Sequence, residues 1–345
     1  MTRKILAALL ALGPITILAD HLGAGDLTLF SLAALALIPL AWLIGEATEH
    51  ASHHTGPGVG GFLNATFGNA PELIIALLAI NDGLFDVVRG SLTGSVVGNL
   101  LLVLGFSLAF GGKGRLDRPS SLVSLALVAF ATLLFLIPSV AGFDGDPEGT
   151  DLWNLSWSVA LVLLLVYVAV TVLALKRHRQ MHVSDDPAAM RAWSMRKSLV
   201  ALGAATVVTA LVAEVLVGSL EVFADKVGLS AFFVSAVIVA IVGNAAEHGG
   251  AIVVAAKGNI RLASEIALAS SAQVAVFLIP AVTLLSWFID PLNLSFRPIE
   301  IATLGASVVV TALVIWGGRS SRTRGIILIA AYVVAAAGFF IAGDR

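Results

Sequence analysis

Two short stretches decide how this chain is read: GNAPEL at residues 68–73 and GNAAEH at residues 243–248. Each interrupts a long apolar run, and each carries one glutamate. A carboxylate in such a run costs several kcal/mol of desolvation, so its presence twice in one pattern asks for a chemical reason.

The surroundings are those of a membrane protein. Of 345 residues, 58% are hydrophobic and 12% charged, with a mean hydropathy of +0.98. A soluble domain carries about 25% charged residues. Apolar segments cover 5–19, 27–45, 62–81, 87–110, 120–140, 152–175, 198–218, 230–256, 262–287, 298–317 and 325–342. Most approach the roughly 20 residues that a helix needs to cross a bilayer. They are too long and too continuously apolar for barrel strands. The expected fold is therefore an all-α polytopic membrane protein of eleven transmembrane helices, with no room for a separate soluble domain. The first run, MTRKILAALLALGPITILAD, starts basic like a signal peptide. It lacks a small-x-small cleavage site and ends on Asp20, so it reads as a first crossing. There are no cysteines, which excludes disulfides and thiolate metal sites. A net charge of −2 gives no reason to expect a nucleic-acid partner.

Basic residues set the expected orientation. With the N-terminus inside, 16 of the 20 Lys and Arg residues fall on the inner side, and only Arg89, Lys226, Arg297 and Arg345 fall outside. The acidic loop FDGDPEGTD at 143–151 falls outside as well, and the C-terminus follows it there. The longest loop, 176–197, is basic and divides the chain in two.

The two halves repeat. Gly243 follows Gly68 by 175 residues, and the same offset takes Glu46 to Glu221, Glu72 to Glu247 and Ser95 to Ser270. Asn99 and Gln273 fall one residue out of register. Spans 2–6 form one unit and spans 7–11 the other. Five is an odd number, so the second copy enters from the opposite side and the repeat is inverted. The expected boundaries are an N-terminal helix outside the repeat at 1–22, a first five-helix repeat at 23–175, a cytosolic linker at 176–197 and a second repeat at 198–345. Inverted repeats with polar residues at matching mid-membrane points are the signature of secondary transporters.

Inversion brings Glu72 and Glu247 together near the midplane. The other reading of each is a protonated structural glutamate, hydrogen-bonded in the bundle. Asn69 and Asn244 stand three residues before them, which puts amide and carboxylate on one helix face. Pro71 cannot donate an N–H, so the carbonyl of Phe67 is expected to be free. On the next span Ser95 and Asn99 share a face, as do Ser270 and Gln273. This inventory of carboxylate, amide and hydroxyl oxygens, without sulfur, suits Ca²⁺. Two carboxylates in a closed site must be neutralised by Ca²⁺ or by protons, and competition between the two is exchange. At least two protons per Ca²⁺ are expected.

The run at 45–105, GEATEH…GNAPELIIALLAINDGLFDVVRGSLTGSVVGNLLLVLG, resembles the first signature repeat of the calcium/proton exchanger family within the Ca²⁺/cation antiporter superfamily. The run at 241–280, IVGNAAEHGGAIVVAAKGNIRLASEIALASSAQVAVFLIP, resembles the second. The resemblance implies an eleven-helix antiporter with a dispensable or regulatory first helix, exporting cytosolic Ca²⁺ in exchange for external H⁺ by alternating access. Spans 2 and 7 would rock. It implies that Glu72 and Glu247 are the central cation and proton ligands, and so the metal ligands, supported by Asn69 and Asn244. Ser95, Asn99, Ser270, Gln273 and His248 line the site behind them, and Ala65, Thr66, Ala240 and Ile241 offer backbone carbonyls. Many relatives carry a longer acidic segment before span 7, where this chain has only Asp185 and Asp186. That puts Ca²⁺ sensing through the linker in doubt.

Weaker signals remain. Glu46, Glu49 and Glu221 at span ends are vestibule candidates that would gather cations, or solvated helix ends. His50, His53 and His54 form a trio in an inner loop, either a pH sensor or a solvated loop. Glu214 shares a face with Glu221, while Glu265 and Glu300 read as interfacial. Neither an HExxH motif nor a nucleophile–base constellation occurs in the spans, so an enzyme is not expected. No cofactor is expected beyond the transported Ca²⁺ and the coupling H⁺. The expected partners are the lipid bilayer and these ions, with a homo-oligomer left open. Short loops suggest a prokaryotic plasma membrane. Na⁺/Ca²⁺ exchange, exchange of monovalent cations for H⁺, and a cation channel stand as alternatives.

Overall fold

A computed structural model describes residues 2–143, 149–179 and 193–344. Asp185 and Asp186 lie outside the described residues. The chain runs as α1 (Thr2–Leu9), α2 (Leu12–His21), α3 (Asp26–Gly68), α4 (Ala70–Asn81) and α5 (Phe85–Val97), which passes through a π-helical segment, Gly98–Val103, into α6 (Leu104–Gly111). A two-residue strand β1 (Gly114–Arg115) precedes α7 (Arg118–Phe143) and α8 (Asp151–Arg179). The second half holds α9 (Met195–Val227), α10 (Ala231–Phe233), a π segment Val234–Val239, α11 (Ala240–Gly243), α12 (Ala245–Ala256) and α13 (Ile260–Gln273). A third π segment, Val274–Leu278, leads to α14 (Ile279–Ser286), α15 (Pro298–Ile315), β2 (Arg319–Ser320) and α16 (Arg322–Ala342).

Among the described residues, 9 helical stretches are long and apolar enough to cross a membrane. The α10–α12 stretch, bent by 59°, brings the number to 10. The difference from eleven lies at 62–81. That run is not one helix. Its first part belongs to α3, the backbone leaves helical geometry at Asn69 (φ −101°, ψ 17°), and α4 carries on with Pro71 in its first turn. Proline fits there because the first N–H groups of a helix have no intrahelical partner. α3 itself is not straight. Ser52 Oγ donates to Thr48 O at 2.8 Å and to Gly60 O at 3.1 Å. Eight residues of straight helix span about 12 Å, so the chain bends sharply between Ser52 and Gly60.

The offset of the sequence repeat reappears in the elements. α4 and α12 have 12 residues each and α6 and α14 have 8 each, with bounds displaced by the same 175 residues. The slip between Asn99 and Gln273 falls where both copies widen into π turns, of 6 and 5 residues. A π turn accommodates an extra residue within a continuing helix.

Burial separates core from periphery. In the 18-residue apolar windows of the α5–α6 and α13–α14 stretches 83% and 67% of the residues are buried inside the protein, against 11% for the first span and 22% for α8 and α16. α3 and α9 lie against each other over much of their length, with Phe30 stacked on Phe223 at 4.0 Å. α5 approaches the 231–239 stretch so closely that side chains do not fit between them. A β-carbon on Gly94 would lie 1.9 Å from the carbonyl oxygen of Ala236, and one on Gly90 would lie 2.6 Å from Ser235 Oγ. Small residues four apart are the usual means of such contact in membranes.

One irregular stretch is buried. Leu292, Asn293, Leu294, Ser295 and Phe296 are all inaccessible, in a loop without helical hydrogen bonds. Hydroxyls serve its backbone. Ser286, Ser156 and Ser139 accept from the N–H groups of Leu292, Leu294 and Phe296 at 2.8, 2.9 and 3.0 Å. Non-helical backbone inside a membrane protein requires such partners.

Gly94→Ala should force α5 away from backbone rather than from a side chain that can turn aside. An overpacking cost at or above about 3 kcal/mol lowers Tm by roughly 6 °C or more in a thermal-shift assay in detergent. Gly203→Ala, where nothing lies within 4 Å, should leave Tm unchanged.

Candidate functional site

The two repeated motifs meet. Asn69 closes α3 and Asn244 closes α11, and Glu72 and Glu247 each lie in the first turn of the helix that follows. That placement suits a carboxylate, because the free N–H groups of a first turn present partial positive charge. The N–H groups of Leu73 and His248 donate to Asn69 O and Asn244 O at 3.0 and 2.9 Å, so the two breaks share one geometry.

The contacts between the motifs are reciprocal. A β-carbon on Gly243 would lie 3.1 Å from Glu72 Cγ and 3.6 Å from its Oε1, and one on Gly68 would lie 3.7 Å from Glu247 Oε1. Each glutamate thus rests against the glycine that opens the other motif. Without side chains on these glycines, each carboxylate reaches the backbone of the opposite break.

Polar side chains from both halves join around them. Asn244 Nδ2 donates to Ser95 Oγ at 2.9 Å and to Ala240 O at 3.0 Å. Asn99 Nδ2 donates to Ser270 Oγ at 3.1 Å and, at 3.4 Å, to Asn244 Oδ1. Ser270 Oγ in turn donates to Glu247 Oε2. Ser95 and Asn99 come from α5 and its π continuation, Ser270 from α13. Asn69, Glu72, Ser95, Asn99, Asn244, Ser270 and His248 are all buried, while Glu247 is half-buried. Among the described residues Glu72 Oε2, Asn99 Oδ1 and Thr66 Oγ1 are buried without a hydrogen-bond partner. Buried oxygens are normally satisfied, so these unsatisfied atoms call for an explanation. No group of three or more His, Asp and Glu side chains able to hold a metal ion occurs among the described residues, so amide, hydroxyl and carbonyl oxygens would complete any coordination here.

The carbonyl expectations need correcting. Phe67 O faces the N–H of Asn69, so Pro71 does not leave it free. Ala240 O already accepts from both the backbone N–H and the side chain of Asn244, at 3.4 and 3.0 Å. Ala65 and Thr66 lie in the last turns of α3, and Ile241 lies in α11. Gln273 is half-buried at the end of α13, and among the described residues no hydrogen bond of its side chain is found.

The vestibule candidates separate. Glu46 pairs with His50 at 3.5 Å, and Glu49 is exposed. The histidine trio, expected in a loop, lies within helix α3; His53 is exposed, and His54 Nε2 lies 2.6 Å from Trp193 O. Glu221 lines a cleft of about 550 Å³ with Asp86, Arg89, Asp225 and Asp344. Glu214 is exposed and lines a separate cleft with Asp20, His21 and Asp26. Glu265 is half-buried and pairs with Arg261 at 3.2 Å. Glu300, expected at an interface, is wholly buried. It accepts from the Arg297 N–H at 2.7 Å and from Thr93 Oγ1 at 3.2 Å. Arg89 is buried beside it, donating to Asp86 Oδ1 at 2.8 Å and to Asn293 O at 3.2 Å. The signal for this polar cluster was RPIE at 297–300, a proline start with a glutamate three residues after the N-cap.

Helices broken at mid-span, paired carboxylates and matched halves define an ion-transporter class. The chain belongs to the sodium/calcium exchanger protein family, whose pattern matches residues 26–176 and 197–341. It is 35% identical over 366 residues to a Ca²⁺/H⁺ antiporter of Synechocystis sp., covering 98% of this chain and 97% of that protein. It is 37% identical over 350 residues to the Ca²⁺/H⁺ antiporter ChaA of Bacillus subtilis, covering 98% and 99%. Among solved structures it resembles native YfkE with a TM-score of 0.84 at 35% identity, covering 98% of this chain and 99% of that one. It also shares its fold with an H⁺/Ca²⁺ exchanger, CAX, at a TM-score of 0.76 and 16% identity, covering 99% and 93%.

Asn244→Ala removes a side chain bonded to Ser95, Ala240 and Asn99. Losing these buried bonds should cost about 2–3 kcal/mol and roughly 5 °C in Tm. Gln273→Ala should shift Tm by no more than about 1 °C. Thermal unfolding of the two purified variants checks the contrast.

Proposed function

We propose that this protein is a secondary active antiporter that exports cytosolic Ca²⁺ in exchange for H⁺. In this reading Glu72 and Glu247 bind either one Ca²⁺ or protons, and Asn69, Asn244, Ser95, Asn99 and Ser270 arrange them. The observation that carries it is the reciprocal seating of the two glutamates beside unsatisfied buried oxygens. The names of the relatives agree with the choice of ions.

The mechanism follows from charge. Two ionised carboxylates facing each other away from water are strongly unfavourable, so the empty, doubly charged site resists closure. One Ca²⁺ cancels the charge, and so do two protons. Only those two loadings allow the site to pass from one side to the other, which couples the flows. The hydroxyl of Ser270 and the amide of Asn99 hold Glu247 oriented in either state. The proposed architecture is one N-terminal helix followed by two inverted five-helix repeats, with α3 and α9 as the pair that slides against the core. The matched element bounds and reciprocal contacts support the inversion. The basic loops then face the cytosol in a prokaryotic plasma membrane, with the N-terminus inside and the C-terminus outside.

Proteoliposomes tell the readings apart. An imposed pH gradient alone should drive Ca²⁺ uptake, and Glu72→Gln and Glu247→Gln should each reduce it to vesicle leak. If a Na⁺ gradient is required, the coupling ion is wrong. If Ca²⁺ moves without any gradient coupling, the site is a channel. The apparent Kd for Ca²⁺ should also rise as pH falls, approaching roughly a hundredfold per pH unit where both carboxyls are protonated in the free site. A limiting slope near tenfold would leave only one proton in competition. Gly243→Ala should raise the half-saturating Ca²⁺ concentration about five- to tenfold, because its methyl crowds Glu72 by tenths of an ångström. Gly68→Ala, with ordinary van der Waals spacing to Glu247, should change it less than about twofold.

A further inference from the structure

A small cationic platform lies at the short two-stranded ribbon β1–β2. β1 and β2, one from each half, pair antiparallel with Gly114 opposite Ser320 and Arg115 opposite Arg319. Directly opposed residues point to the same face, with β-carbons about 5 Å apart, and like charges so placed repel. Both arginines and the neighbouring Lys113 are exposed. Among the described residues none of the three has a carboxylate partner. The acids nearby are already engaged: Asp117 and Glu265 both pair with Arg261.

The ribbon cannot relieve this repulsion by swinging apart. Leu116 N–H donates to Gly318 O at 3.0 Å, and Ser320 Oγ donates to Gly112 O at 2.6 Å. Gly112 and Gly318, at φ +69° and +62°, turn the chain into the two strands. A β-carbon on Gly114 would lie 2.2 Å from Ile260, so the strand is pressed onto α13. The fold holds two arginines side by side at a fixed separation, an arrangement that an anion between them would stabilise.

The rim shows which anion. Trp316, at the end of α15, is 63% exposed, and the guanidinium of Arg118 lies 5.0 Å over its ring. Phe110, at the end of α6, is 61% exposed. Exposed aromatic residues at the ends of membrane-spanning helices sit at headgroup depth. A free phosphate ion has no use for this apolar edge, whereas a phospholipid offers both a charged head and a chain.

We propose that the β1–β2 ribbon is a docking site for the phosphate headgroup of an anionic phospholipid in the leaflet it faces. Arg115 and Arg319 clasp the phosphate, Lys113 adds charge, and Trp316 and Phe110 border the acyl chains. Because the ribbon joins the two halves of the chain, the bound lipid would tie their ends together.

The test uses the full-length protein equilibrated with vesicles of equimolar phosphatidylcholine and phosphatidylglycerol, followed by native mass spectrometry of retained lipid. Wild type should keep phosphatidylglycerol in preference to phosphatidylcholine. Arg115→Gln/Arg319→Gln should weaken that retention roughly thirtyfold, from about fivefold per cationic residue at an anionic membrane surface. Arg115→Lys/Arg319→Lys keeps the charge and should retain most of it, which separates loss of binding from loss of folding. Arg196→Gln/Lys197→Gln removes the same charge from exposed positions outside the ribbon and should have little effect. Equal loss in this control would mean diffuse attraction and would overturn the site. Displacement of the lipid by millimolar inorganic phosphate would overturn the lipid assignment in favour of a free-anion site.

Discussion

Two carboxylates held against each other's backbone inside an apolar bundle are the constraint around which this molecule is arranged. Glu72 lies on the glycine of the second motif and Glu247 lies near the glycine of the first. A large side chain at either glycine would displace the carboxylate resting there, and the helices must stop at Asn69 and Asn244 for the approach to occur. The breaks supply polar backbone at the depth where the charge sits. α5 and α13, the most protected stretches of the fold, supply Ser95, Asn99 and Ser270 to hold the ends together. The peripheral helices α8 and α16 leave many large apolar side chains exposed.

Reciprocity also explains why two similar halves are more useful than one. A single broken helix presents one carboxylate and one set of capping groups. Here two broken helices present both to a common centre, and each half completes the other. The hydrogen bonds from Asn244 to Ser95 and from Asn99 to Ser270 both cross between halves, so the site exists only when the halves are assembled. In the proposed mechanism antiport follows from the same economy of charge, because the cation and the protons would use the same oxygens.

Much of this was legible in the sequence. The apolar runs gave the class, and the 175-residue offset paired Glu72 with Glu247 and Ser95 with Ser270 before any coordinates. What was not legible shares a cause. Sequence pattern reports where a segment begins and ends, but not what is buried around it. Glu300 lies near a helix start and reads as interfacial, and Arg89 reads as an outer-side basic residue, yet both are buried, Arg89 against the carbonyl of Asn293 in the inward-folded loop. The continuation of helix past Gly45 and the bend before Gly60 hide in a stretch rich in glycine, where turn and helix are equally plausible. The carbonyls of Phe67 and Ala240 looked available because helix breaks free carbonyls, but the two asparagines that make the breaks also use them.

The buried loop at 292–296 has a consequence for how the protein is made. Its N–H groups depend on hydroxyls of Ser139 on α7 and Ser156 on α8, both synthesised well before it. A ribosome delivering the chain in order releases this segment only after its acceptors are already in the bilayer. The reverse order would leave bare amides in hydrocarbon, waiting for partners not yet translated. Vectorial synthesis therefore favours the loop's position late in the chain, and a circular permutant that opens with α13–α15 would face the membrane with its costliest backbone first.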